Sequence, residues 1–212
     1  MFFSSYNKRT VLCDIMAKHG SDKGGYEGIG RHNYTVYYHQ LLSDIRNSVK
    51  SVFEFGIGST CSHFTHNMGS LGKPGASLRG WREYFYSANI YAADIDKTIL
   101  QPEDRIFKFF CDQTSLNSIE ALWQNSELVH SAFDVIIEDG LHVFEAQHLF
   151  MKNSLHKLKD NGLYICEDVR DDDFNSWTTC LKDLSEEHPD KTFELIKIYN
   201  QHNNWNSIIV IK

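Results

Sequence analysis

A chain of 212 residues with 42% hydrophobic and 23% charged residues suits one soluble domain that buries most of its apolar surface. No apolar run approaches the roughly 18 residues of a membrane span, and the opening MFFSSYNKRTV lacks the apolar core of a secretory signal, so a cytoplasmic protein without a membrane partner is expected. A net charge of −7 without a stripe of Lys and Arg argues against a nucleic-acid partner, and five scattered cysteines without a C-x-x-C pair argue against zinc or redox chemistry.

Residues 1–48 are expected to form a cap of helix and loop. Its glycine- and tyrosine-rich stretch HGSDKGGYEGIGRHNYTVYYHQ starts at His19, and a helix is expected over 34–47. The first strand falls at 51–55, and STCSHFTHNMGSLGKP at 59–74 reads as an insertion that delays the next helix to 77–86. Strands follow at 90–93 and 106–110, then a helix at 116–129, a strand at 133–137, a helix at 143–157 and a strand at 162–166. A helix at 174–187 has Asp171, Asp172 and Asp173 as N-cap candidates. The last strands, 193–199 and 207–211, have no helix between them and are expected to pair as an antiparallel hairpin at an edge, turning through 200–206. The alternation predicts an α/β fold in one domain, 1–212. Its core would be a Rossmann-like, doubly wound, seven-stranded sheet, mostly parallel with an antiparallel final strand.

Several expected strands end in polar residues. In VFEFGIG, Glu54 precedes a glycine turn at Gly56 and Gly58 that would let a ligand approach the backbone, although a lone G-x-G is equally an ordinary tight turn. Cys61 stands where a dinucleotide fingerprint needs its third glycine, which argues against NAD. NIYAADID ends in Asp94 and Asp96, suited either to the ribose hydroxyls of a nucleoside or to a solvated turn. At the next tip Asp112 and Gln113 offer an acceptor and an amide to an adenine edge. FDVIIEDGLH and LYICEDV end in acid pairs, bringing Asp139 near Glu167 and Asp168 if the strands are neighbours. Three carboxylates together resist ionisation without a cation, so the pattern implies Mg2+ or another hard divalent ion, with His142 facing the same bound group. The alternative is that both acid pairs cap helices and His142 is a first-turn residue.

HGSDKGGY, FEFGIG, GASLRGWREYF, YAADID, DVIIEDGLH and LYICEDV, spanning residues 19–169 in order, resemble the class I S-adenosylmethionine-dependent methyltransferases. Within that class the resemblance is to the magnesium-dependent sugar O-methyltransferases of natural-product pathways. It implies that Asp139, Glu167 and Asp168 bind the metal, and that His142 is the general base acting with Asp139. It further implies that Ser21, Lys23, Glu54, Gly56, Ser77, Asp94, Asp112 and Gln113 surround the methyl donor, S-adenosylmethionine. The chain departs from the family pattern at Glu138, Leu141 and Cys111, and in the run Arg170 to Phe174. The resemblance begins without the large N-terminal domain of the macrolide enzymes and so implies no macrolide acceptor. The expectation is a metal-assisted O-methyltransferase for a sugar or similar small metabolite, its donor over the first three strands and its acceptor over the next two. The insertion and Tyr34, Tyr37 and Tyr38 would form walls or a lid. A metal-dependent oxygenase and a non-catalytic nucleoside-binding protein are the alternatives, and homo-oligomer formation is left open.

Overall fold

The computed structural model describes residues 2–3, 8–24, 32–64, 66–200 and 206–212, the first two by backbone alone. Among these residues eight strands form one sheet: β1 (Phe2–Phe3), β2 (Ser51–Phe55), β3 (Asn89–Asp94), β4 (Ile106–Phe110), β5 (Phe133–Glu138), β6 (Leu158–Cys166), β7 (Phe193–Ile198) and β8 (Ser207–Ile211). Their order is β1-β7-β8-β6-β5-β2-β3-β4. Neighbours run parallel except around β8, which is antiparallel to both β6 and β7. The helices are α1 (Val11–His19), α2 (Tyr34–Leu42), α3 (Ala76–Tyr84), α4 (Leu116–Trp123), α5 (Phe144–Lys152) and α6 (Phe174–Glu187). No helix among the described residues is long and apolar enough to cross a membrane.

The near-continuous apolar strands follow from burial on both faces. Along β8, Ile208 and Val210 join the core under α1, α2 and α3, while Ile209 and Ile211 join the core under α4, α5 and α6. Val52 and Phe53 divide in the same way on β2. The chain proceeds outward through β2, β3 and β4, then returns to place β5 on the other side of β2. That reversal opens a crevice at the carboxyl ends of β2 and β5, where ligands bind in sheets of this kind.

All seven expected strands form, and the terminal hairpin lies toward one end of the sheet with β1 outside it. The part of its turn at 201–205 lies outside the described residues. β6 starts early, at Leu158, with a register shift between Phe133↔Leu158 and Val135↔Leu163. Three helices are shorter than expected, and polar side chains bond the backbone in the last turn or in the turns that follow. Ser48 Oγ donates to Ile45 O (2.8 Å) after α2, Asn125 Oδ1 accepts from Glu127 N (2.9 Å) after α4, and Asn153 Nδ2 donates to Leu149 O (2.8 Å) at the end of α5. Asp173 occupies the N-cap position of α6 without a side-chain cap bond, and Asp171 pairs with Lys197 instead. Helix α1 was not expected. Thr10 caps it, Gly20 ends it, and Leu12, Ile15 and Met16 are buried.

Candidate active site

The ladder continues past the strand ends and sets the site residues in register. Asp139 N–H donates to Phe55 O (2.8 Å), Glu167 N–H to Glu138 O (2.8 Å) and Gly56 N–H to Ala93 O (2.9 Å). A cavity of about 410 Å3 lies over these tips, lined by Asp94 and Asp112 beyond β3 and β4, by Gly56 beyond β2, and by Asp139, His142 and Asp168 beyond β5 and β6. Gly56 has φ +81°, and a Cβ there would lie 1.9 Å from Asp139 O, so only glycine lets the two tips touch. Gly56→Ala is expected to cost about 3 kcal/mol, combining left-handed strain with overpacking. Denaturant unfolding measures this, and a parent-like free energy would refute it.

Asp139 sits between two cationic side chains. Lys23 Nζ donates to its Oδ2, and His142 Nε2 lies 3.3 Å from its Oδ1. The same lysine donates to Glu167 Oε2 at 2.5 Å and lies 3.9 Å from Glu54 Oε1. His142 Nε2 is also 3.3 Å from Asp168 Oδ2. Burial alone would raise the Asp139 carboxyl, but Lys23 and then His142 hold it below the usual range. Burial opposes the charge of His142, yet Asp168 and Asp139 push it up to about 9. Burial drives Glu167 upward against the pull of Lys23. In this arrangement Lys23 and His142 are the counter-cations of the acid group.

One ligand atom each from Asp139, His142 and Asp168 lie within 4.8 Å of one another. Ligands about 2.1 Å from an octahedral hard cation stand roughly 3–4 Å apart, separations that lie inside the 4.8 Å bound on this group. Glu167 is adjacent, but its oxygens are engaged by Lys23 and by Tyr38 Oη (2.8 Å). The structure therefore brings Asp139, His142 and Asp168 together and sets Glu167 beside them, with Lys23 on the oxygen nearer Asp139 and Tyr38 on the other.

On β2, Glu54 is buried and its pKa is pushed up to about 7 by burial. It accepts from Ser77 Oγ (2.7 Å) and Trp81 Nε1 (2.6 Å), so Ser77 lines the cavity while Glu54 supports it from beneath. Asp94 faces the cavity and accepts from Ile57 N (2.8 Å) and Asp96 N (2.8 Å), tying down the glycine turn; burial raises its pKa. Asp112 accepts from Thr114 N and Oγ1 (2.9 and 2.7 Å). Gln113 is committed differently from the expectation of an adenine reader. Its Nε2 donates to buried Glu138 (2.6 Å) and its Oε1 accepts from Leu141 N (2.7 Å), which shapes the turn carrying Asp139 and His142. Ser21 and Lys23 both line the cavity.

Sequence reasoning did not foresee Lys23 among the acids, the hydroxyls of Tyr34 and Tyr38 on the same acids, or His66, whose ring centroid is 5.3 Å from that of His142. The i,i+4 spacing of the tyrosines was the available signal. His66 belongs to the insertion, as do His63 and Met68, which also line the cavity.

This sheet order, with crevice-lining acids at the strand tips, defines the class I methyltransferase fold. The MycE methyltransferase from the mycinamycin biosynthetic pathway, in complex with Mg and SAH, superposes with a TM-score of 0.69 at 22% identity, over 97% of this chain and 55% of that one. In sequence the chain is similar to 8-demethyl-8-alpha-L-rhamnosyl tetracenomycin-C 2'-O-methyltransferase of Streptomyces olivaceus, at 28% identity over 159 residues, 75% of this chain and 38% of that protein. It is also similar to demethylmacrocin O-methyltransferase of Streptomyces fradiae, at 30% over 142 residues, 65% of this chain and 32% of that protein. Mycinamicin VI 2''-O-methyltransferase of Micromonospora griseorubida is 24% identical over 163 residues, 77% of this chain and 37% of that protein. The chain thus spans less than two-fifths of the length of these curated relatives. No protein-family model matches it. The resemblance to natural-product sugar O-methyltransferases read from the sequence therefore holds.

Proposed function

We propose that this protein is a metal-assisted, S-adenosylmethionine-dependent O-methyltransferase acting on a hydroxyl of a sugar or similar small metabolite. The carrying observation is the meeting of Asp139, Asp168 and His142 in a cavity that Gly56, Ser77 and Asp94 also line. Its size, about 410 Å3, falls in the range of small-molecule sites. The similarity to sugar O-methyltransferases supports the same reading.

In this reading Asp94 accepts from the donor's ribose through lone pairs left by its two backbone bonds, and the Gly56 turn lets the donor approach the sheet. Asp139 and Asp168, with Glu167 behind them, hold a hard divalent cation, Mg2+ in the simplest case. Held there, such an ion would lower the pKa of an acceptor hydroxyl and would neutralise the two aspartates in place of His142. His142 Nε2 accepts the hydroxyl proton as the acceptor oxygen bonds to the methyl carbon and the sulfonium–methyl bond breaks, leaving a neutral thioether. The insertion walls the acceptor side through His63 and His66. The chain's residues contribute chiefly by positioning, since the sulfonium carries its own leaving group.

An oxygenase facial triad needs two histidines and one carboxylate, whereas here two carboxylates meet one histidine. His148 does not supply the second, because it packs against Phe144 and Trp177 between α5 and α6. Incubation with methyl-labelled S-adenosylmethionine, Mg2+ and fractionated small metabolites tests the proposal. Label is expected in a hydroxylated product, chelator should lower turnover by about a hundredfold or more, and added Mg2+ should restore it. Absence of donor binding, or turnover indifferent to chelator, would overturn it.

A further inference from the structure

Two hydroxyls from one face of α2 reach the adjacent acids beyond β6. Tyr38 Oη donates to Glu167 Oε1 at 2.8 Å. Tyr34 Oη donates to Asp168 Oδ1 at 2.5 Å and accepts from the N–H of the same residue at 3.3 Å. The two rings stack at 5.9 Å with 23° between their planes, and both residues are at most 1% exposed.

Successive residues leaving a strand normally point to opposite faces. Asp168 has φ +53°, a left-handed conformation uncommon outside glycine, and both neighbouring carboxylates meet the same helix. Such a conformation persists only where its surroundings over-determine it. Tyr34 does so by gripping both the carboxylate and the N–H of Asp168, and His32 Nδ1 lies 3.4 Å from the same Oδ1. Its own place is fixed from the sheet: His32 stacks on it at 4.6 Å and bonds Asn206 Oδ1 at 2.9 Å, and Asn206 Nδ2 donates to Asn33 Oδ1 (2.7 Å) and Ile198 O (3.1 Å).

Each tyrosine takes one oxygen of its acid and leaves the other on the Asp139 side. Asp168 Oδ2 faces His142 and Glu167 Oε2 faces Lys23, and both of these cations also touch Asp139. Packing alone does not require the hydroxyls, because phenylalanine fills nearly the same volume, and a buried hydroxyl is costly without a partner.

We infer that Tyr34 and Tyr38 are positioning residues for the Glu167–Asp168 pair, fixing which carboxylate oxygen each acid presents to a divalent cation. The inference rests on the metal-assisted reading above. Hydrogen-bonded supports of this kind orient ligating groups and tune the affinity of a site.

Calorimetric titration of the full chain with MgCl2 or MnCl2, and separately with S-adenosylhomocysteine, tests it in the parent, Y34F, Y38F and the double variant. Each single variant is expected to weaken divalent-ion binding about tenfold and the double variant about a hundredfold, with S-adenosylhomocysteine affinity changed less than about twofold. A purely structural role would lower the melting temperature without moving the ion's Kd. Y38F leaves the Asp168 turn untouched and carries the test if Y34F does not fold. Parent-like ion affinity in the folded variants overturns the tyrosines' role and leaves the metal reading standing, whereas a parent that binds no divalent ion overturns both.

Discussion

Asp139→Asn is expected to lower kcat/KM by about a thousandfold or more, equivalent to about 4 kcal/mol of lost transition-state stabilisation. The substitution keeps the shape of the side chain and removes its charge. That charge has three uses in the proposed site: it faces His142, it pairs with Lys23, and it supplies one of the two carboxylates suited to a hard cation. The backbone N–H of residue 139 still bonds Phe55 O after the change, so the turn itself survives. Steady-state kinetics with calorimetric titration of Mg2+ would show activity and ion binding falling together. Turnover of the Asp139→Asn variant within tenfold of the parent would remove Asp139 from the chemistry.

His142→Ala is expected to reduce kcat by about a hundred- to ten-thousandfold, the usual contribution of a positioned general base. Donor affinity should be nearly unchanged, because Ser77 and Asp94 line the cavity from α3 and β3, not from the β5 and β6 tips that set His142 against Asp139 and Asp168. The informative pattern is a fall in kcat and kcat/KM together, with substrate binding intact, as for an interaction made in the transition state. His66, 5.3 Å away between ring centroids, is the nearby imidazole that could be considered a substitute. It lacks the two carboxylates that flank His142, and burial lowers its pKa, with His142 adding to that effect. Near-parental kcat in the alanine variant would end the assignment of His142.

The elements that generated the sheet were plain in the chain. β2, β4 and β8 occupy the expected ranges because short apolar runs between polar turns have few other uses. Helix α1 was harder to see, since its nine residues place only Leu12, Ile15 and Met16 in a helical pattern and the cap is a single threonine. At the site, Asp139 and Asp168 could be paired from their strand-end positions once β5 and β6 were taken as neighbours. The destinations of Lys23, Tyr34, Tyr38 and Gln113 could not. Each reaches a partner at least 25 positions away, and such contacts depend on how the layers are stacked rather than on any local spacing.

The position of β8 has a consequence for the order in which the protein comes together. β7 precedes β8 in the chain but has no direct partner in β6; β8 lies between them, antiparallel to each, so the β7–β8 hairpin joins β6 only through β8. Until it does, the nascent sheet carries an open β6 edge, and Val169 lacks the Ser207 carbonyl that receives its N–H at 3.0 Å. That missing bond lies immediately beside Asp168. Such late, long-range closure is slow and leaves aggregation-prone surface exposed, so the acid turn should be among the last parts of the molecule to acquire protection from hydrogen exchange during refolding.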